Sequence, residues 1–355
     1  QDLPQLTTPN QMYSRFLQPL PPQESYLGRD PQAPQGIWAK PGTKLYVVPL
    51  GGVVTSYQEA SEQLDTLFSW LQADPSHTAT WTELFFFERW FRNRSDELRD
   101  AVKTLVTGRQ LEFALAGWSG AAHEGVTFDD LLADYADAQQ WLANTFGTHC
   151  LVAYVPRQHA VSSQALRLLK EGGVEFVVVD GADAAYWGAL KAAQSEEFLW
   201  ETSRFLGGES RVLVHINGDD AAAQPFWDAF EAARMGDTSS LQAVAEQEAQ
   251  QLKAGDRALF LWPFETSEGA RSLDSLQATL DSLAAAEGLV VGVSSLARYA
   301  LDLYGAGVQP PVRNYDLLPL QPPQFYTGLF SAAPLRGYRT HLASRFRDVF
   351  ERYYA

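Results

Sequence analysis

The chain has 355 residues, of which 46% are hydrophobic and 12% aromatic, and this composition excludes disorder along most of its length. It predicts a folded core of one large domain or two smaller ones. The formal net charge is −16, and the sequence has no cluster of Lys or Arg that could neutralise phosphates. Nucleic acid and anionic membrane surfaces are therefore not expected as partners.

Cys150 is the only cysteine, which excludes an intrachain disulfide and any metal site made of several cysteines. No apolar run approaches the roughly 20 residues that span a bilayer, so we expect no membrane span. The sequence begins at Gln1 rather than Met, which we interpret as a processed or trimmed start. The triplet Asn93-Arg94-Ser95 makes Asn93 a glycosylation candidate.

Residues 1–43 differ in composition from the rest of the chain, because they are rich in Pro and Gln and have no periodic apolar pattern. Prolines stand at Pro19, Pro21, Pro22, Pro31, Pro34 and Pro41. This pattern predicts an extended arm that proline stiffens locally. Two interpretations remain open: the arm packs along its own domain, or it reaches a neighbouring subunit. Residues 44–355 are predicted to form the folded domain.

From Lys44 onward, short β-branched and aromatic runs alternate with amphipathic helical patterns. The predicted strands are Lys44–Leu50, Thr78–Leu84, Leu111–Trp118, Leu151–Val155, Val174–Asp180, Arg211–Ile216, Ala258–Phe264 and Leu289–Ser294. The predicted helices are Tyr57–Gln72, Asp96–Thr107, Phe128–Phe146, Ser162–Glu171, Leu241–Ala254, Ser272–Glu287 and Tyr338–Tyr354.

Near-continuous apolar strands are typical of a parallel sheet that is covered on both faces. Their regular alternation with helices over about 250 residues predicts an α/β fold, a single β/α barrel. An open, doubly wound sheet is the alternative. No glycine-rich phosphate loop follows any predicted strand, so the pattern does not favour a nucleotide-binding domain.

Several segments, in order, resemble the N-terminal catalytic domain of glycoside hydrolase family 38, the α-mannosidases. They are Lys44-Leu45-Tyr46-Val47-Val48-Pro49, Trp81-Thr82-Glu83 with Phe85-Phe86-Phe87-Glu88-Arg89-Trp90, Gln110-Leu111-Glu112-Phe113 through Gly117-Trp118, Gln140-Trp141-Leu142 with Phe146-Gly147, and Phe325-Tyr326-Thr327-Gly328-Leu329-Phe330 with Pro334. The resemblance implies a seven-stranded (β/α)7-type barrel. It also implies that one of the predicted strands is peripheral or wrong.

Enzymes of that family hold a zinc ion with two His and two Asp, and one of these Asp residues is also the covalent nucleophile. At the end of the first strand, Leu50, Gly51 and Gly52 replace the family's His-Ser-His. Alignment of the following helix places Arg157 at the position of the nucleophile, where a permanent cation cannot attack and repels a metal. The chain ends at Ala355 before any segment like the family's second His motif. We therefore expect no metal site, no cofactor and no catalytic residue from this resemblance.

The resemblance also implies a sugar-binding pocket at the strand ends, where the sequence offers candidate binding residues. They are Trp81, Trp118 and Tyr326 as stacking platforms, with Glu83, Arg157, His159, Asp219 and Asp220 as polar groups. The alternative is that these aromatics belong to the core. A relocated carboxylate pair could be drawn from Asp180, Asp183, Asp219, Asp220 and Glu265.

The sequence therefore favours a non-catalytic, α-mannosidase-like barrel that acts as a structural or assembly subunit. Its expected partners are other proteins or further copies of itself, contacted through residues 1–43. The alternatives are a carbohydrate-binding pseudoenzyme and an active glycosidase with relocated carboxylates. The resemblance implies secretion or a secretory-pathway lumen, with organellar and cytoplasmic locations as alternatives.

Overall fold

A computed structural model describes the chain at residues 43–52, 54, 56–115, 128–155, 163–180, 197–201, 211–217, 224–251, 257–263, 273–286, 289–305, 310 and 312–313. Every structural statement below concerns these residues. The predicted arm, residues 1–43, lies outside them except for Thr43, as does the predicted helix Tyr338–Tyr354.

Each predicted strand is present in the structure, some of them shorter than predicted. The strands are β1 Thr43–Gly51, β2 Ala79–Trp81, β3 Leu111–Phe113, β4 Val152–Val155, β5 Phe176–Asp180, β6 Glu197–Glu201, β7 Arg211–Asn217, β8 Arg257–Pro263, β9 Leu289–Val293 and β10 Val312–Arg313. The sequence pattern did not predict β6 or β10.

The helices agree closely with the sequence pattern where their apolar periodicity is regular. They are α1 Tyr57–Ala73, α2 Phe85–Arg92, α3 Asp96–Thr107, α4 Phe128–Phe146, α5 Ser163–Glu171, α6 Gln224–Arg234, α7 Leu241–Gln251, α8 Leu273–Ala284 and α9 Leu296–Gly305. The bounds of α3 and α4 are those predicted. Helices α2, α6 and α9 were not predicted.

The strands that the structure describes form two sheets. In the first, the order is β3-β2-β1-β8, with β9 also pairing with β1, and every pairing is parallel. In the second, the order is β10-β6-β7-β5-β4, and only β6 and β7 are antiparallel to each other. The prediction of an α/β fold with parallel sheets is therefore confirmed.

One parallel bridge, between Ala114 and Val152, joins the edge of the first sheet to the edge of the second. The N–H of Leu115 donates to the carbonyl oxygen of Val152 at 3.0 Å in support of this bridge. Among the described residues no ladder joins β7 to β8. Closure of the strands into a barrel therefore stays a prediction.

Alternate residues of the strands enter different apolar clusters, as the two-residue period of a strand requires. In β1, Leu45 and Val47 pack in the cluster that contains α1 and α2, whereas Tyr46 and Val48 pack in another. This second cluster also contains residues of β4, β5, β7 and β8 together with α9. Both sheets thus share one apolar layer, which explains why the strands are apolar on both faces.

Helix α1 illustrates how the sequence starts and buries a helix. Ser56 is its N-cap, and its hydroxyl oxygen accepts a hydrogen bond from the N–H of Glu59 at 3.2 Å. Leu64, Leu67 and Leu71 recur at helical spacing and are 1–2% exposed. Complete burial of such a side chain contributes about 1.5–3 kcal/mol, so this face holds α1 against the first sheet. No described helix is long and apolar enough to cross a membrane.

Candidate functional site

The end of β1 is packed directly against the end of β2. The N–H and the hydroxyl of Thr82 both donate to the carbonyl oxygen of Gly51, at 3.1 and 3.0 Å. The N–H of Gly52 donates to Oε1 of Gln63 in α1 at 3.3 Å. Leu50 is 1% exposed and lies in the apolar layer that both sheets share. These residues are therefore structural parts of the strand end.

Gly52 leaves no room for a side chain. Its φ is +93°, in the region that favours glycine, and a Cβ at this position would lie 2.9 Å from both the backbone nitrogen and the hydroxyl oxygen of Thr82. The same Cβ would lie 3.2 Å from the indole ring of Trp81. A ligating histidine cannot be placed here without movement of the backbone.

Trp81 lies in the core with 0% of its surface exposed. Its ring packs against Phe87, with 6.3 Å between the ring centroids, and its indole N–H donates to Oε1 of Glu83 at 3.1 Å. A sugar stacks on an open aromatic face, which Trp81 does not offer. Its burial supports the alternative interpretation of this residue, as part of the core.

Glu83 is also buried, with 5% exposure, and its carboxylate faces the start of α2. Its Oε2 accepts the N–H of Phe86 at 2.8 Å, so the side chain caps the helix that follows. Burial raises the pKa of Glu83 to about 7, although hydrogen bonds from Phe86 and Trp81 oppose this rise. The carboxylate that was predicted for sugar binding thus serves a helix terminus.

Glu112 is a second buried carboxylate, to which the sequence pattern assigned no role. It lies at the centre of β3, and its two oxygens accept the N–H groups of Leu296 and Ala297 at 3.0 and 2.9 Å. Thr80 in β2 donates its hydroxyl to the same carboxylate at 3.1 Å. Burial raises the pKa of Glu112 to about 7 against these hydrogen bonds. A charged residue within an apolar strand was the available signal.

A third polar group links β6, β7 and α9. His215 is 1% exposed, and its Nδ1 lies 3.0 Å from Oε1 of Glu197, which also accepts the hydroxyl of Tyr299. Burial opposes ionisation of Glu197, but the hydrogen bonds from His215 and Tyr299 outweigh it and lower the pKa of this carboxyl. Beside this group, Tyr46 in β1 donates its hydroxyl to Asp302 in α9. These contacts place polar side chains of α9 against strands of both sheets.

Several predicted site residues lie outside the described residues, and their roles stay predictions. They are Trp118, Arg157, His159, Asp219, Asp220 and Tyr326, with Asp183 and Glu265 of the relocated carboxylates; the side chain of Asp180 is also outside. In the described part of the chain, no three His, Cys, Asp or Glu side chains are grouped so that they could hold a metal ion. Asn93 is exposed at the end of α2, and its Nδ2 donates to the hydroxyl of Tyr57 at 3.4 Å.

Comparison with solved structures identifies the same kind of fold. An α-mannosidase from Enterococcus faecalis V583 superposes with a TM-score of 0.55 at 12% identity, over 77% of this chain and 31% of that one. The 4-α-glucanotransferase from Thermococcus litoralis also gives a TM-score of 0.55, at 13% identity, over 79% of this chain and 43% of that one. At such identities these similarities concern the fold alone.

The sequence relatives of this chain include several α-mannosidases. The chain is 25% identical to the lysosomal α-mannosidase of Cavia porcellus over 332 residues, which are 84% of this chain and 32% of the relative. It is 26% identical to α-mannosidase D of Dictyostelium discoideum over 144 residues, 41% of this chain and 12% of the relative. The chain thus spans a third or less of the length of these relatives.

The model of the glycosyl hydrolases family 38 N-terminal domain matches residues 38–288, which is more than half of the chain. This range contains the segments between Lys44 and Gly147 from which the resemblance was drawn. Together with the α-mannosidase relatives and the fold, the match shows that the chain belongs to glycosyl hydrolase family 38, through the N-terminal domain of that family.

Proposed function

We propose that this domain is a non-catalytic family 38 barrel that acts as a structural or assembly subunit. The observation that carries the proposal is the packing of Gly52 against Thr82, which leaves no space for a metal-ligating side chain at the end of β1. Leu50, the other position of the lost motif, is enclosed by apolar neighbours. The residues present at this strand end therefore do not fit a zinc ion.

The buried carboxylates support the same proposal. Glu83 and Glu112 accept backbone N–H groups at the starts of α2 and α9, so their oxygens are engaged in holding helices to strands. A carboxylate that acts as nucleophile or general acid must instead face the substrate. We infer that these two side chains stabilise the fold.

The barrel itself is part of the proposal. Strands β8, β1, β2 and β3 neighbour one another in the first sheet, and β4, β5 and β7 do so in the second. The Ala114–Val152 bridge joins β3, at the edge of the first sheet, to β4, at the edge of the second. The shared apolar layer contains residues of β1, β8, β4, β5 and β7. Strands β7 and β8 lie near each other, and hydrogen-bonded pairing between them would complete a ring of seven strands in this order.

A turnover assay tests whether the domain is catalytically silent. The full chain, with zinc added, is incubated with an aryl α-mannoside, and we expect no hydrolysis above that of the buffer. Hydrolysis that disappears in the Asp219→Asn or Asp220→Asn variant would contradict the proposal and support a glycosidase with relocated carboxylates. Calorimetry with mannose-containing oligosaccharides, with no heat of binding expected at millimolar concentration, tests the carbohydrate-binding alternative.

The assembly role and the location have separate tests. Light scattering of the full chain should give a mass above that of one chain, whereas a monodisperse monomer at all concentrations would contradict an assembly role through self-association.

A secretory-pathway location is supported by the lysosomal α-mannosidase among the relatives. Microscopy of the tagged chain in the host cell checks that location.

A further inference from the structure

A group of aromatic rings lies at the surface where α1 and α2 begin. Phe85 and Phe86 meet edge to face, with 5.0 Å between their centroids, and the ring of Tyr57 lies 6.4 Å from that of Phe86. The guanidinium of Arg89 lies over the Tyr57 ring at 4.1 Å. We call Tyr57, Phe85, Phe86 and Arg89 the Phe85 surface.

The Phe85 surface is open to solvent. Phe85 is 53% exposed, and Tyr57 and Phe86 are half-buried. Single exposed apolar side chains are ordinary, but here three rings adjoin one another beside a cation. Aromatic residues and Arg are the types that are enriched at protein interfaces and at the positions that contribute most to binding.

Arg89 differs from its neighbours in α2 and the turn after it. Arg92 pairs with Glu88, and Arg94 pairs with Asp65 at 2.7 Å. Among the described residues, no carboxylate lies within ion-pair distance of Arg89. In a chain with a net charge of −16, an exposed arginine whose guanidinium lies over an aromatic ring and has no ion-pair partner within the described part of the chain offers a site for an incoming carboxylate.

We propose that the Phe85 surface binds the proline-rich segment Gln18–Glu24 of a second copy of this chain. The inference rests on the proposed assembly function and names the surface and the partner segment. The segment reads Gln-Pro-Leu-Pro-Pro-Gln-Glu. Proline favours the polyproline II conformation, which loses little entropy on binding and docks on grooves lined by aromatic rings.

The spacing of the rings suits this occupant. A polyproline II helix rises about 3.1 Å per residue, so two residues such as Pro19 and Pro21 would lie about 6 Å apart along it if the segment bound in that conformation. The neighbouring ring centroids of the Phe85 surface are separated by 5.0 and 6.4 Å, which are values on either side of that repeat. Glu24 follows Pro22 by two residues and would supply a carboxylate to Arg89, which has no ion-pair partner among the residues that the structure describes.

The test uses a fluorescent peptide with the sequence Phe16–Tyr26 and the full chain. The receptor chain carries Pro19→Ala, Pro21→Ala and Pro22→Ala so that its own segment does not compete for the surface. We expect the peptide to bind, and we expect Phe85→Ala or Arg89→Ala in the receptor to weaken binding about tenfold, or about 1.4 kcal/mol. Met235→Ala and Arg92→Ala are the matched controls, because Met235 is 62% exposed elsewhere and the Arg92 side chain is 69% exposed on the same helix.

A charge exchange identifies the contact. Arg89→Glu in the receptor should abolish binding of the natural peptide, and a peptide with Glu24→Arg should restore it. Equal binding by the controls and by Phe85→Ala would overturn the inference, as would binding of a mannose oligosaccharide that Phe85→Ala removes.

Light scattering separates binding in trans from binding in cis. The unmodified chain should exceed the mass of one chain, and the Phe85→Ala variant should not. If the unmodified chain is monomeric at all concentrations and its own segment competes with the peptide, the segment binds its own domain. That result would contradict binding to a second copy. Assembly that is unchanged in Phe85→Ala would overturn this inference and leave the assembly function intact.

Discussion

Gly52 and Thr82 show at the scale of single residues how a strand end can exclude a metal ligand. The positive φ of Gly52 disfavours any other residue, and the backbone of Thr82 fills the place of its missing Cβ. From the sequence, the loss of the histidines could be predicted, but the closure of the space they would need could not. That closure depends on the distance between two strands that are 30 residues apart in the chain.

Gly52→Ala should destabilise the domain more than Gly236→Ala. Both glycines have a positive φ, +93° and +97°, so both substitutions carry the strain of about 1–2 kcal/mol that such a backbone imposes on alanine. Only at Gly52 does the added methyl group meet the Thr82 backbone, which adds about 1–3 kcal/mol of overpacking. Chemical denaturation measures the difference, and equal losses in the two variants would show that the strand end is open.

The pH dependence of stability should reveal Glu83 and Glu112. The pKa of each is raised from 4.5 to about 7 in the folded chain, so the folded state binds more protons between these values. The contribution of each of these carboxyl groups to the free energy of unfolding is then fully present below pH 4.5. It is lost as the pH rises through 7. The loss is about 3 kcal/mol for each group, from 1.36 kcal/mol per pH unit.

Glu83→Gln and Glu112→Gln cannot ionise, so each variant should lose part of this slope between pH 4.5 and 7. The measurement is the free energy of unfolding from urea denaturation at a series of pH values. Retention of the full slope in both variants would mean that these carboxylates ionise in the folded chain as they do in water.

At the scale of elements, the sequence predicts the helices and strands whose apolar residues recur with one regular period. It does not predict the elements that depart from such a period or from β/α alternation. The bounds of α3 and α4 follow from apolar residues at helical spacing. The strand predicted at Thr78–Leu84 ends at Trp81 in the structure, and Glu83, predicted within that strand, instead caps the start of α2 at Phe85. Strand β6 was missed because its antiparallel pairing with β7 departs from β/α alternation.

Helix α9 was missed although Leu296, Tyr299, Ala300 and Leu303 recur at helical spacing and are all buried. The sequence could not show where this helix packs, because its partners come from both sheets. Glu112 lies in β3 and accepts hydrogen bonds from the first N–H groups of this helix, and 184 residues separate it from Leu296. The helix is therefore part of the layer between the sheets.

Tyr299→Phe tests the polar contacts that hold α9. The substitution removes the hydroxyl that donates to Glu197 and leaves a buried carboxylate with one partner fewer. We expect a loss of about 1–3 kcal/mol in the free energy of unfolding. Tyr57→Phe is the control, because the hydroxyl of Tyr57 makes an exposed contact of 3.4 Å with Asn93 and its loss should cost little. Similar losses in the two variants would mean that the buried contact adds nothing to stability.

At the scale of the whole molecule, family membership and the α/β class could be read from the sequence, because segments spread over the strands keep their order. The candidate site was less predictable. Trp81 and Glu83 occupy the positions that the resemblance implies, but their burial depends on α2, which the pattern did not predict. A motif thus identified the family, whereas packing decides what its residues can do.

The zinc content of the full chain tests the central claim most directly. The chain is purified, incubated with excess Zn²⁺, dialysed and measured by mass spectrometry for metal per chain. With the end of β1 closed by Gly52 and Thr82, we expect far less than one zinc per chain, as for a chain dialysed without added metal. One zinc per chain that survives dialysis, and that is lost when Asp219 and Asp220 are changed to Asn, would contradict the account.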